Sequence, residues 1–474
     1  MSQSKGAAAI ETIDGIAWPR LPGTEPKMMR AVLAQFRKTQ WLPPDVIVER
    51  QLQQLHSLLS YAQANVPYYQ EKIGKDSFDP LFGLTLNNWR QIPILKRTDI
   101  QDSAADLLSR NIPISHHPLG ETQTSGSTGQ PVKVISTAAS RLFWSAVTMR
   151  DHYWHRREFS GKLCSIRASP ADSGSVAKGD DHPNWGWPAA KLHNTGPSSI
   201  LSLGTDVSAQ AEWLAQHDLE YLLTYPANLA ALEEHFRASG RALAKLKEIR
   251  TVGEMVSPAL RRKCRKTWGV PLTDVYSSQE VGYMALQCPQ SGLLHVQSET
   301  MMVEVLDEAG KPTPPEEVGR VVVTGLHNFA MPLIRYEIPD YAEPGELCPC
   351  GRGLPTLRRV VGRLRNMLVL PNGDKRWPLT GFRDFRDIAP IRQYQLVQKS
   401  LERIEVRYVV DRPLTAQEED KLSAVIQDSL GHPFEVYFRY FDKMPMTAGG
   451  KFEEFISEIS AAPLPAQGAQ HGET

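Results

Sequence analysis

The spacing of apolar residues changes along the chain, and each change marks a part of it. Residues 28–75 carry apolar positions three and four apart, in MMRAVLAQF and again in ERQLQQLHSLLSYAQANV, which predicts amphipathic helices. RQIPILKRTDIQDSAADLLSR reads as a Pro-led segment feeding a helix over 99–109. A Gly/Ser/Thr loop in TQTSGSTGQPVKVIS (122–136) enters a β-branched run; residues 138–157 read as helix, and KLCSIRAS (162–169) as a strand. Residues 170–205, rich in Gly, Pro, Asp and Trp, read as long loops with short strands. From 206 helix and strand alternate: SAQAEWLAQHD, YLLTY, PANLAALEEHFRASG (opened by Pro226, closed by Gly240), EIRTVGE, PALRRKCRKTWG, LTDVYSS. That order argues for a parallel α/β sheet. After 295 the texture is β, in TMMVEVLD, GRVVVTGL and LIRYEI, then MLVLPNGDKRWP with an Asn-Gly turn. Residues 395–440 give strand, strand, helix, strand, a small α+β unit. The expected organisation is a lead-in at 1–27, a large α/β domain with mixed sheets at 28–363, a smaller α+β domain at 364–460 and a disordered tail at 461–474.

Composition narrows the classes. A chain of 474 residues, 41% hydrophobic and 22% charged, is neither wholly disordered nor collagen-like. Lys+Arg and Asp+Glu are both 53, so no global charge draws it to nucleic acid or an anionic membrane. The N-terminal apolar run is cut by Glu11, short of a signal-peptide core, and no stretch approaches the roughly 18 apolar residues of a spanning helix. Five cysteines make no disulfide framework, and a cytosolic, reducing compartment is expected.

Two clusters carry candidate chemistry. In TSGSTGQPVK (124–133) two glycines permit close backbone approach to phosphate oxygens, and four hydroxyls add neutral donors. The loop ends Gly-Gln-Pro, which does not support a P-loop NTPase; a flexible Ser/Gly surface loop is the alternative. Cys288, His295, Cys348 and Cys350 supply three thiols and an imidazole, a closed tetrahedral set for structural zinc, against the alternative of buried reduced cysteines. Cys164 and Cys264 fall in strand and helix patterns and read as packing residues.

The glycine-rich loop resembles the phosphate-binding signature of the adenylate-forming superfamily. Further pieces follow in the same order: VPYYQEKI, IPILKRTDI, VGEM, DVYSSQEVGYMALQCP, MPLIRYEIPDYAE and CPCGRGLPTLRRVVGR, over roughly residues 60–460. The chain is most similar to the phenylacetate–CoA ligase-like branch. That resemblance implies the adenylate-forming fold, with a small mobile C-terminal lid. It also implies ATP-dependent activation of a carboxylic acid to an acyl-adenylate, then transfer to CoA; amide or ester formation with another acceptor, such as an amine, and an inactive ligand-binding homologue are the alternatives. It further implies that Thr124, Ser125, Gly126, Ser127, Thr128 and Gly129 hold the phosphates, with Thr128 at the α-phosphate. Glu280 would bind Mg²⁺, Tyr276 and Ser277 would meet the adenine beside Gly253 and Glu254, and Asp340 would accept the ribose hydroxyls. Arg363 would reach ribose or phosphates, and Lys451 would bridge the α-phosphate and the attacking carboxylate. Some relatives of this branch carry structural zinc at a cluster like this one.

The chain departs from the usual motifs at Ser277, Gln279, Pro339 and Arg365, which bears on fine geometry and on the second half-reaction. Trp185, Trp187, His193, Tyr225 and Met284 are candidates for an acyl pocket that would suit an aryl or arylacetic acid, or else are core anchors. A homodimer is compatible with the sequence.

Overall fold

A computed structural model describes residues 15–16, 18–19, 25–123, 132–167, 179–363, 368–373, 375–376, 385–442, 444 and 455–459. The chain divides into two compact units, Met1–Val361 and Gly362–Thr474. Among the described residues no helix is long and apolar enough to cross a membrane.

The first unit is built on a mixed sheet of twelve strands. Its parallel part consists of Leu163–Arg167, Ser198–Ser202, Tyr221–Thr224, Glu248–Thr251 and Leu272–Ser278. The helices Val207–Gln216, Pro226–Ser239 and Pro258–Trp268 connect these strands, and their apolar faces make a core of their own around Leu222, Leu229, Phe236 and Ile249. Local chemistry sets the helix ends. Ser257 caps the Pro258–Trp268 helix by accepting the Leu260 N–H, and Gly269 closes it in the left-handed region.

The sheet then turns antiparallel at the Leu272–Ser278 and Gly282–Gln287 hairpin. It continues through Leu294–Val296, Thr356–Arg363, Tyr336–Pro344, Gly319–Gly325 and Met301–Leu306. Parallel strands flanked by helices and a run of antiparallel strands therefore share one sheet, as the change of pattern near 295 predicts. The larger core lies under this half, where the helices Glu25–Thr39, Pro44–Asn65 and Ala138–Trp154 pack on it. The strands Gly120–Gln123 and Lys133–Ser136 form a separate antiparallel pair, and residues 124–132 connect them.

Three elements differ from the sequence expectation. The first helix begins at Glu25, inside the expected lead-in. The helix expected over 99–109 is Arg97–Asp102: Ser103 already leaves helical geometry at φ −125°, and further on the Ser109 N–H is drawn to the Ala330 carbonyl. The strand expected over LIRYEI begins only at Tyr336 and runs on to Pro344, because Arg335 sits at φ 48°.

In the second unit the strands are ordered Glu435–Tyr440, Arg403–Val410, Ile391–Gln398, Phe455–Ser457, with the Ala416–Leu430 helix packed on one face. The Asn-Gly turn joins Leu368–Val369 to Lys375–Arg376, with Gly373 at φ 87°.

Candidate active site

Three of the expected site residues meet at the point where the sheet changes from parallel to antiparallel. Tyr276 lies on the last parallel strand, beside a β-bulge between Tyr276 and Ser277. The bulge re-aims the strand end. The Tyr276 phenol donates to Asp340 Oδ2 at 3.0 Å. Asp340 lies in the middle of the Tyr336–Pro344 strand rather than at a turn. Glu280 occupies the hairpin turn after Ser278, where the Ser278 hydroxyl accepts the Val281 N–H at 3.3 Å.

A residue to which sequence reasoning gave no role completes this group. Arg97 Nη1 lies 3.3 Å from Glu280 Oε1, with both side chains mostly buried. Arg97 is placed there by the backbone. Leu95 bridges Tyr336 in parallel, donating to the Arg335 carbonyl and accepting the Glu337 N–H. Arg335 holds the same segment by donating to the Arg90 and Ile92 carbonyls at 2.8 and 2.7 Å, while its guanidinium pairs with Glu304. Tyr336 stands among these charges. Burial raises its phenol, Glu280 and Asp340 add to the rise, and Arg97 opposes it. Two carboxylates, one guanidinium and two phenols are thus gathered at the end of one hairpin. That set can bind a cation and accept hydroxyl hydrogen bonds.

Gly253 and Glu254 follow the adjacent strand Glu248–Thr251. Gly253 adopts φ 79°, which a side chain would disfavour. The Glu254 carboxylate accepts the Ala227 N–H at 2.9 Å, capping the Pro226–Ser239 helix from outside its own segment. Thr124, Ser125, Gly126, Ser127, Thr128, Gly129, Arg365 and Lys451 lie outside the described residues, as does the side chain of Arg363.

Of the acyl-pocket candidates, Met284 is wholly buried because it faces the core from the Gly282–Gln287 strand. Trp185 is anchored by an indole N–H bond to the Gly161 carbonyl and packs on Phe159 and Tyr221. His193 stacks on Phe159 and meets the Tyr153 phenol at 2.7 Å. Tyr225 precedes the Pro226–Ser239 helix as its N-cap. Trp187 remains exposed.

The cysteine–histidine residues form a second cluster. Ligand atoms of Cys288, His295, Cys348 and Cys350 all lie within 4.8 Å of one another. Cys288 directly follows one strand of a hairpin and His295 lies on the next, which pairs with Thr356 just beyond the Cys348–Cys350 turn. Gly351 closes that turn at φ 86° with an N–H bond to the Cys348 carbonyl. Gly353 passes so close to the Leu42 carbonyl that a Cβ there would lie 1.8 Å from it. His295 Nδ1 faces the Leu354 carbonyl at 3.2 Å and Nε2 faces Cys350 Sγ at 3.3 Å. A proton on Nδ1 leaves Nε2 as a lone-pair donor. Burial lowers the imidazole to about 4, so it is neutral. Burial raises the Cys288 thiol, but hydrogen bonds from Ser291, Gln290 and Cys348 outweigh it and bring the thiol down to about 7. The donor set fits a soft or borderline metal ion in a closed shell.

Comparison with known proteins agrees with this architecture. Residues 383–458 match the family described as the CapK C-terminal domain. The chain is 25% identical over 355 residues to the phenylacetate-coenzyme A ligase of Thermus thermophilus, covering 69% of this chain and 73% of that protein. It is 24% identical over 342 residues to the Escherichia coli protein of the same name, covering 69% and 73%. The crystal structure of 2-hydroxyisobutyryl-CoA ligase in the postadenylation state, in complex with 2-HIB-AMP, superposes with a TM-score of 0.71 at 19% identity, covering 89% of this chain and 92% of that one. The chain therefore has the fold of the adenylate-forming CoA ligases and is a relative of the phenylacetate–CoA ligases.

Proposed function

We propose that the chain is an AMP-forming acid–thiol ligase. A carboxylate oxygen of the acid attacks the α-phosphorus of ATP, the bond to pyrophosphate breaks, and the acyl group of the resulting adenylate passes to the thiol of CoA. The supporting observation is the meeting of Tyr276, Asp340 and the Arg97–Glu280 pair at one hairpin end. Asp340, an acceptor-only carboxylate, would take both ribose hydroxyls, and the Tyr276 ring would lie against the adenine beside Gly253, Glu254 and Ser277. Glu280 would hold the magnesium that arrives with ATP, a hard cation that prefers carboxylate oxygen. The Thr124–Gly129 loop would cradle the phosphates, with Thr128 at the α-phosphate, and Arg363 would reach ribose or phosphate. Lys451 would neutralise the charge gathering between the attacking carboxylate and the α-phosphate.

An acid-dependent ATP–pyrophosphate exchange screen tests this reading. Exchange with at least one acid is expected, and adding CoA and then amines identifies the acceptor. No exchange with any acid would overturn the reading in favour of a ligand-binding homologue. Lys451→Ala is expected to abolish adenylation with the fold intact; a normal adenylate yield would refute its role.

The second cluster would hold structural zinc through Cys288, His295, Cys348 and Cys350. A filled shell of four protein donors leaves no open position for substrate. Elemental analysis should find about one zinc per chain; a folded, metal-free preparation would reject it.

A further inference from the structure

The turn that carries Glu280 also carries an aromatic wall. Gly282 lies so close under Trp144, on the Ala138–Trp154 helix, that a Cβ there would come 3.1 Å from the indole. Tyr283 meets the same indole edge-on, with ring centroids 5.9 Å apart. Trp144 nevertheless stays 37% exposed. Trp187 donates its indole N–H to Ser145, the neighbour of Trp144, at 2.7 Å and stays 45% exposed. Tryptophan gains most by covering its ring, so two indoles left open beside a carboxylate cluster make a surface suited to a flat apolar ligand.

The polar end of that wall is specific. The Tyr283 phenol oxygen accepts a hydrogen bond from Arg250 Nη2 at 3.1 Å, its one hydrogen bond among the described residues. With its oxygen engaged by a fixed donor, the phenol directs its own proton to an outside acceptor. Arg250 is held in turn. Its Nε lies 3.0 Å from Asp151 Oδ2, which also takes Arg157 at 2.6 Å, and Arg157 grips Glu248 at 2.8 and 2.7 Å. Two guanidiniums face two carboxylates. His152 and His155, which face the same group, are kept neutral chiefly by burial. The network's charge is therefore closed. A second carboxylate on a ligand would be buried without a countercharge, whereas a neutral oxygen would take the phenol proton without needing one.

We propose that Trp144, Tyr283 and Arg250 form the acid-binding subsite, and that it selects an aromatic carboxylic acid bearing a neutral hydrogen-bond acceptor, such as a phenolic hydroxyl, at the far end of the ring. Tyr283 donates to that group and Arg250 acts as its positioning residue. This assignment rests on the adenylation reading, which supplies the carboxylate's destination beside Glu280.

The test compares benzoate and phenylacetate, each with and without a para-hydroxyl, plus 4-carboxyphenylacetate and hexanoate, by pyrophosphate exchange. The wild-type protein should favour the hydroxylated member of the better pair by about tenfold or more in kcat/KM, with the second carboxylate disfavoured. Tyr283→Phe should bring that ratio to within about twofold, and Trp144→Ala should raise KM for ring acids about tenfold. An unchanged ratio in Tyr283→Phe, or a preference for hexanoate, would overturn the assignment while leaving adenylation standing. Should no acid support exchange, the adenylation reading falls. Quenching of tryptophan fluorescence by the same acids, compared between wild type and Trp144→Phe, then decides the subsite: quenching that needs Trp144 supports it, and its absence overturns it.

Discussion

Two clusters draw on the same two stretches of chain, and they are built in opposite ways. Glu280 precedes the Gly282–Gln287 strand and Cys288 follows it; Asp340 lies within the Tyr336–Pro344 strand and Cys348 lies beyond it. In both cases the thiol lies eight residues after the carboxylate. At the thiol end every donor faces the other donors, and backbone turns at Gly351 and Gly353 lock the loop. At the carboxylate end the groups are of mixed charge, with Tyr276 against Asp340 at 3.0 Å and Arg97 against Glu280 at 3.3 Å among their contacts. A closed shell of like donors stores folding energy. A looser set of unlike charges can exchange its partners for a ligand. Strands about 20 Å long separate the two ends, so a rigid sheet can carry the order of one to the other.

The largest effect should come from the closed end. Cys348→Ser, or chelation of the holoprotein, should lower the Tm of the first unit by about 10 °C or more, since a structural metal contributes several kcal/mol to folding. Differential scanning calorimetry with and without chelator reads this directly. An unaltered melt would show that the four donors hold no metal.

The open end should behave in the reverse manner. Asp340→Asn should leave the Tm within about 2 °C, because Asp340 is half-buried and the amide oxygen of asparagine can still accept from the Tyr276 phenol. The same change should cost about hundredfold in kcat/KM for ATP, the worth of charge-assisted bonds to the ribose hydroxyls. A large Tm loss with normal kinetics would make Asp340 a structural residue and erase the contrast between the two ends.

What the sequence revealed, and what it hid, follows the same division. Strand and helix alternation over 206–278 and the Asn-Gly turn are local patterns, each readable from a short window; Cys288 with His295 and Cys348 with Cys350 are local pairs, but it is sheet pairing that brings the two pairs together. Arg97 was not readable from a short window, because its position depends on Leu95 bridging Tyr336, some 240 residues away in sequence. Arg335 hid the strand start for a related reason. Its buried bonds to Arg90, Ile92 and Glu304 hold it at φ 48°, which tertiary contacts impose and propensity does not signal. Glu254, which the resemblance places beside the adenine, also caps a helix from a different segment through its carboxylate, a contact that no local pattern signals. The short Phe455–Ser457 strand went unread because three residues carry no period, and only pairing with Ile391–Gln398 defines it.

Arg97 offers a sharper probe of the open end. If the Arg97–Glu280 pair opens for MgATP, with Glu280 taking the cation and the freed guanidinium meeting the phosphates, Arg97→Ala should raise KM for MgATP about tenfold, with less effect on kcat. It should also lower the Mg²⁺ concentration needed for half-maximal rate, because the cation competing for Glu280 is gone. Arg97→Lys should restore part of the loss, since it keeps the charge but not the fork. A fall in kcat with both constants unchanged would place Arg97 outside the ligand exchange and make the pair as static as the thiol cluster.

The smallest effect concerns the strand on which Tyr276 lies. Asp274, two residues earlier, is driven by burial up to about 6 from an ordinary 3.8, against the pull of Arg261, the Val275 N–H and the Thr251 hydroxyl. Its folded form therefore holds a proton that the unfolded chain releases. Stability from this group is present at low pH and is lost as pH rises from 3.8 through about 6. Asp274→Asn stays neutral throughout, and its side-chain oxygen can still accept from Val275 and Thr251. Its Tm should match the wild type near pH 4 and exceed it near pH 7.5, by an amount worth at most about 3 kcal/mol. Melts at the two pH values decide the matter. A gain at high pH would mean that a strand serving the open end carries a strained charge even where no ligand binds, unlike the closed end, where burial leaves its imidazole neutral. A constant offset at both pH values would mean that Arg261, 3.8 Å away, already compensates the carboxylate.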